Sequence, residues 1–201
     1  MTVKYVQPDH PVHELVAARW SPYAWADRSV DDSDLAALFE AARWAASSYN
    51  EQPWRWIVAH SKNPDAHAQL LSTLVEGNQA WARNAPVLAI GLTATTFSRN
   101  GKPNKAAHHD LGLAAGNLCF EATARGLAVH QMIGIEPERV REVYGVPTEM
   151  EPLTGLAIGY AGEAASLPES LRERDLAPRS RKRLSELVFE ERWGRSASFL
   201  E

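Results

Sequence analysis

The chain has 201 residues, which fits one domain, and we predict a single domain over residues 1–201. Hydrophobic residues make up 45% and charged residues 23%, so the composition is globular and excludes a disordered chain. The 21 basic and 25 acidic residues give a net charge of −4, which does not favour nucleic acid or an anionic membrane as a partner. One cysteine excludes an intrachain disulfide framework and a cysteine zinc site. Because we see neither a secretion signal nor a run long enough to span a bilayer, we expect a cytoplasmic protein.

Hydrophobic periodicity predicts helices that alternate with strands along most of the chain. Cap residues and prolines mark several helix starts, and a continuous apolar run marks a buried strand. The alternation leaves the α/β and α+β classes open and does not fix the strand order. In chain order the predicted elements are a helix after Pro11, a helix capped at 31–33, a polar turn over 47–53, a strand over 54–58, a helix from Asn63, a strand over 86–93, a mobile loop over 95–105, a helix over 105–125, a strand over 127–133, a helix over 137–145 and a strand over 153–160.

Two features leave alternatives open. Gly112 and Gly116 lie near the apolar face of the longest predicted helix, where they mark either a local weakness or the close approach of another helix or a ligand. Residues 161–184 are polar and charged, and apolar residues return over 184–189. That order predicts a C-terminal arm over 161–201 that carries an anchor, packed either on its own chain or on another.

The sequence lacks the GxSxG, Walker A and GxGxxG motifs. His108 and His109 are adjacent on a predicted helix, where neighbouring side chains point about 100° apart and do not easily share a metal ion. The acidic residues show no spacing that singles out an acid/base pair. A conventional hydrolase is therefore poorly supported.

Three separated segments are best explained together. They are residues 18–25 (ARWSPYAW), 46–55 (ASSYNEQPWR) and 178–184 (PRSRKRL). Singly, each has an ordinary interpretation: a cation at a helix end, a polar turn and a solvated basic stripe. Together they supply arginines for phosphate oxygens, short polar groups for a polyol and a pyrimidine edge, and tryptophans for the walls of a planar ring. A ligand with all of those parts is FMN.

These segments carry a resemblance to the nitroreductase family of FMN-dependent oxidoreductases, along nearly the full length of the chain. Residues 19–23 resemble the family's opening R-x-S-x-R, with a tyrosine in place of the second arginine. Residues 46–54 resemble the longer signature P-S-S-x-N-x-Q-P-W, with Ala46 in place of proline. Residues 126–137 are similar to the strand and turn that pass the flavin ring, and residues 153–162 to the last core strand, although Ala161 follows Tyr160 where proline is common.

The resemblance implies an α+β fold, with a central and mainly antiparallel sheet flanked by helices and an extended C-terminal arm. It also implies which residues bind the cofactor: three arginines at the phosphate, Ser21 at the phosphate or the pyrimidine edge, the serines and asparagine of the second motif near the ribityl chain and ring, and backbone groups of 131–134 at the ring. It implies no metal and no catalytic side chain. The full set is Arg19, Ser21, Tyr23, Ser47, Ser48, Asn50, Gln52, Gln131, Met132, Ile133, Gly134, Arg179 and Arg181.

The resemblance further implies a homodimer with FMN at the interface and a ping-pong reaction. NADH or NADPH passes hydride to the flavin N5 and leaves, and a small acceptor such as a nitroaromatic or a quinone is then reduced. Because glycine allows close backbone approach, Gly134→Val is expected to affect flavin binding more than stability. The alternatives are a specialised flavoenzyme of the same fold (dehalogenating, flavin-fragmenting or dehydrogenating), a non-catalytic flavin-binding protein, and an interaction protein without a ligand.

Overall fold

A four-stranded antiparallel sheet forms the centre of the protein, whose computed structural model describes residue 4 and residues 6–200. The strand order is β1-β2-β4-β3, and each neighbouring pair is antiparallel. This arrangement confirms the expected α+β class and the antiparallel sheet. The strands are β1 (Trp54–His60), β2 (Val87–Ala94), β3 (Ala128–Met132) and β4 (Met150–Gly159).

Seven α-helices surround this sheet within the described residues. The sequence predicts five of them, and α4 and α7 are additional. The cap signals explain the start of α3: the Asn63 side chain accepts a hydrogen bond from the backbone of Ala66, with Pro64 at the first helical position. The helices are α1 (Glu14–Ala18), α2 (Asp32–Arg43), α3 (Pro64–Leu71), α4 (Glu76–Ala82), α5 (Ala107–Ala124), α6 (Pro137–Tyr144) and α7 (Glu169–Leu176).

The core has two halves, one on each face of the sheet. On one face, α2 and α5 pack with Val87 and Ala89 of β2, and on the other face α3, α4 and α6 pack with Leu88 and Ile90. Alternate side chains of β2 thus enter opposite halves, which is why this central strand is apolar without interruption. Each fully buried leucine or isoleucine contributes roughly 1.5–3 kcal/mol to the free energy of folding.

The outer face of α5 is open within the described chain. A Cβ atom added at Gly112 or Gly116 would meet nothing within 4 Å. Leu113 and Phe120 lie on the same helix and are each more than a third exposed. Of the two interpretations of the glycines, close approach by another element of this chain is therefore excluded for the described residues.

The C-terminal arm begins against the domain and then leaves it. The carboxylate of Asp175, which is buried, accepts a hydrogen bond of 2.7 Å from the backbone of Tyr23. Within the described chain, residues 184–200 form hydrogen bonds only with residues 183–200. Trp193 is 91% exposed at the tip of this segment. Among the described helices, none is long and apolar enough to cross a membrane.

Candidate functional site

Three of the predicted cofactor residues line one cleft. Arg19, at the end of α1, meets Arg179 and Arg181 of the C-terminal arm at a cleft of about 440 Å³. We call this the arginine cleft. Its other walls include Phe120 of α5 and Leu184. Segments about 160 residues apart in sequence therefore converge on one basic cavity.

The three arginines are held by neutral partners. Arg179 donates hydrogen bonds to the backbone oxygens of Lys4 (2.9 Å) and Ala17 (2.7 Å). Arg19 donates to the Ser21 hydroxyl at 3.3 Å. Burial and the like charges of Arg19 and Arg181 lower the pKa of Arg179. Within the described residues none of the three forms an ion pair with a carboxylate. Asp9 also lines the cleft, but the cationic side chains outnumber it, so the cleft has an excess of positive charge.

A thiol on α5 and an imidazole on β3 lie near Arg19. The Gln131 amide donates to the thiol of Cys119, which is buried; burial raises the pKa of this thiol, and the charge of Arg19 opposes that rise. Burial lowers the pKa of His130, while its hydrogen bond with the Pro22 carbonyl opposes that shift. These groups are structural neighbours of the arginines, and none is a free acid or base.

Tyr23 does not line the arginine cleft. Its ring makes edge contacts with Trp81 and His130, at centroid distances of 5.2 and 4.7 Å. Its backbone N–H is the group that donates to Asp175. The side chain that stands in place of the motif's second arginine is therefore used within the domain.

The second motif forms a tight turn with unusual backbone geometry. Tyr49, Asn50 and Gln52 all have positive φ angles, of 54°, 55° and 51°. Left-handed conformations cost non-glycine residues about 1–2 kcal/mol each, so the surrounding structure must hold them. The Ser47 hydroxyl accepts from the backbone of Gln52 at 3.0 Å, and the side chain of Gln52 donates to the Asn50 carbonyl at 3.0 Å.

A buried carboxylate fixes this turn to the longest helix. Asp110, in the first turn of α5, is 2% exposed and accepts a hydrogen bond of 3.0 Å from the backbone of Ser48. A carboxylate acceptor makes this bond charge-assisted and stronger than a neutral one. No sequence pattern selects Asp110, because a single aspartate in a helix is not a recognisable signal.

The turn and the arginine cleft lie toward opposite ends of α5. Asp110 contacts the turn, whereas Cys119, which lies near Arg19, is about 13 Å further along the helix axis at 1.5 Å per residue. The next residue, Phe120, lines the cleft. None of residues 46–55 lines the arginine cleft. One chain therefore brings the arginines together and holds the second motif at a separate place.

The segment predicted to pass the flavin ring is partly exposed. Met132 is buried, and Ile133, beside it, is 70% exposed. Gly134 packs inside the chain: a Cβ there would lie 2.5 Å from the Asn78 amide nitrogen and 2.8 Å from a Val75 methyl group. A Cβ at this position would conflict with the chain's own packing. That conflict counts against the expectation that Gly134→Val would affect flavin binding or turnover more than stability.

The chain is similar to known proteins over most of its length. The sequence profile of the Nitroreductase family matches residues 16–160, which is well over half of the chain and includes both N-terminal motifs. The chain belongs to the nitroreductase family. The expected family is thereby confirmed.

Individual relatives agree with this assignment. A crystal structure described as an oxidoreductase containing FMN is 34% identical, covers 98% of this chain and 100% of its own, and superposes with a TM-score of 0.90. A nitroreductase family protein from Clostridium difficile is 26% identical over 89% of this chain and 96% of its own, with a TM-score of 0.69. A Streptomyces coelicolor protein provisionally named an NADH dehydrogenase/NAD(P)H nitroreductase is 27% identical, over 69% of this chain and 77% of its own.

Proposed function

We propose that this nitroreductase family member is an FMN-dependent oxidoreductase that takes hydride from NADH or NADPH and reduces a small organic acceptor. The arginine cleft carries the proposal, because three guanidinium groups that form no carboxylate ion pair within the described residues suit an anionic ligand. The relatives support it: one solved structure is described as containing FMN, and one relative is named for NAD(P)H. We also propose that the protein is cytoplasmic, as its composition led us to expect.

The residues present fit the cofactor. Arg19, Arg179 and Arg181 would hold the phosphate dianion, with Ser21 as a short neighbouring group. Guanidinium groups pair bidentately with phosphate oxygens, and these charge-assisted bonds are the stronger ones. The turn over 47–52 would supply short polar groups to the ribityl chain and the ring.

FMN, when bound, supplies the acceptance and donation of hydride. The chain's own residues would bind and orient it: the arginine cleft would hold the phosphate, and backbone groups of 131–134 would hold the ring. Positive charge and backbone donors near the ring would favour its anionic form. No side chain has to move a proton, in agreement with the lack of an acid/base pair. One binding place would serve the donor first and the acceptor second, as in a ping-pong reaction.

The site is proposed to form between two copies of the chain. In one chain the second motif lies about 13 Å along α5 from the arginine cleft, so a partner's turn would complete the cavity. The open face of α5 and the exposed Trp193 are apolar surfaces of the kind that marks a protein–protein interface. A homodimer whose arms wrap each other would cover both, and it would bury Leu187 and Phe199 as well, which are more than half exposed here.

Spectroscopy of the purified protein tests the proposal. We expect a flavin absorption band after reconstitution with FMN, bleaching on anaerobic addition of NADH or NADPH, and recovery of the band when a quinone is added. A protein that binds FMN but shows no bleaching would be a flavin carrier. A protein that cannot be reconstituted would refute the cofactor assignment.

A further inference from the structure

The turn over 47–52 holds one aromatic side chain outward. Tyr49 is 74% exposed, although a side chain of its size would gain free energy from burial. Its left-handed backbone sets that direction, and the bonds of Ser48 to Asp110 and of Gln52 to Ser47 keep the backbone in place. A strained turn that is fixed from both sides and exposes an aromatic ring is typical of a binding surface.

A second loop completes this surface. The Arg99 guanidinium lies over the Tyr49 ring, 4.0 Å from its centroid, and the Phe97 ring meets Tyr49 edge-on at 5.9 Å. We call Tyr49, Phe97 and Arg99 the Tyr49 cluster. Phe97 and Arg99 lie in the loop over 95–105, whose polarity predicts mobility. The backbone of Ser98 in this loop donates a hydrogen bond of 2.6 Å to the Glu51 carboxylate, which links the loop to the turn.

The Tyr49 cluster combines a flat apolar surface with an available charge. Arg99 is exposed and forms no carboxylate ion pair within the described residues. Glu51 is near enough for the charge of Arg99 to help lower the pKa of its carboxyl group, but the main cause is the hydrogen bond that this carboxylate accepts from the Ser98 backbone. A guanidinium that is stacked on a ring by one face keeps its N–H edge free for an anion. Neighbouring residues 48 and 50 belong to the motif that the proposed function sets beside the flavin.

We propose that Tyr49 and Arg99 select the acceptor, and that they favour a planar aromatic acceptor that carries a carboxylate or a similar anionic group. Tyr49 provides the stacking surface and Arg99 pairs with the anion. This inference rests on the proposed function, because it needs the second motif to lie at the flavin ring. It names the acceptor class that the family assignment leaves open.

The test compares two acceptors that differ in charge and are similar in shape, 4-nitrobenzoate and 4-nitrobenzamide. With the FMN-loaded protein, Arg99→Gln should lower kcat/KM for 4-nitrobenzoate roughly tenfold or more, since it removes a charge-assisted hydrogen bond. The value for 4-nitrobenzamide should stay within about twofold, since Gln keeps polarity without charge. Arg99→Lys should retain part of the preference. Arg83→Gln, an exposed arginine elsewhere, should leave the ratio unchanged.

Binding measured without turnover separates the proposed role of Arg99 and Tyr49 from the proposed function itself. Calorimetric titration with benzoate and benzamide should show a preference for benzoate in the wild type that Arg99→Gln abolishes, and Tyr49→Leu should weaken both ligands where Tyr49→Phe does not. An unchanged ratio in both assays would refute the role of Arg99. A raised KM for NADPH with an unchanged acceptor ratio would overturn it too, by assigning Arg99 to the donor. Failure of the proposed function looks different: the wild type would then not load FMN or oxidise NAD(P)H.

Discussion

Replacement of Gly134 by alanine should destabilise the fold by about 2–4 kcal/mol. The new Cβ would lie 2.5 Å from the Asn78 amide nitrogen and 2.8 Å from a Val75 methyl group, and overpacking of this kind costs about 1–3 kcal/mol. Asn78 must then move, which breaks its 2.9 Å hydrogen bond to the Gly134 carbonyl at a further cost of about 1 kcal/mol. The backbone of Val75 donates to the same carbonyl at 3.1 Å, so α4 would loosen at its start.

Urea unfolding at one fixed protein concentration measures this loss, because the stability of the proposed homodimer would depend on concentration. Gly77→Ala is the matched control: it lies in α4, and a Cβ there meets nothing within 4 Å, so it should be neutral or slightly stabilising. Adding Asn78→Ala to Gly134→Ala relieves the shorter contact, and the double variant should lose less than the sum of the single losses. If Gly134→Ala is as stable as Gly77→Ala, or the two losses simply add, the packing argument is wrong.

Three further outcomes are expected. Arg181→Ala should weaken FMN binding by roughly tenfold or more, measured by equilibrium titration of the apoprotein, because the phosphate loses a charge-assisted partner; full retention of flavin would remove Arg181 from the phosphate site. Burial lowers the pKa of His130, so below a pH of about 6.5 the unfolded chain binds a proton that the folded chain does not. The free energy of unfolding should therefore decrease as the pH falls below that value. His130→Gln should reduce this dependence on pH, and an equal dependence in the variant would contradict the reasoning. Trp193→Ser should shift the assembly toward the monomer in sedimentation experiments at micromolar concentration, whereas Trp44→Ser, which changes another exposed tryptophan, should not.

The elements found from sequence are those with a strong apolar signal. The strand β2 is buried on both faces and reads as one apolar run, and α5 shows the helical period over 18 residues. The helices α4 and α7 were missed for the opposite reason. Only Trp81 and Ala82 of α4 are buried, and the one buried residue of α7 is Asp175, so neither segment displays an apolar stripe.

The residues of the candidate site also fall into two groups, those that a sequence motif indicates and those that depend on contacts between distant segments. The family motif indicated Arg19, and the C-terminal basic run indicated Arg179 and Arg181, but their convergence depends on how the arm returns to α1, which no local pattern encodes. The motif also could not tell that the Tyr23 ring would pack among aromatic side chains. Asp110 and Arg99 act through contacts between distant segments, and such contacts leave no signal at either position alone.

The reactivity of the buried Cys119 thiol can report local opening of the protein. It is the one cysteine in the sequence, it lies on α5 beside the arginine cleft, and burial raises its pKa, so both access and ionisation are suppressed in the closed state. A thiol reagent can react only during excursions that expose this part of α5, and its rate measures their frequency. A ligand that joins the arm to α1 through the three arginines would suppress those excursions. The rate at which the Cys119 thiol is labelled would therefore fall as the cleft fills.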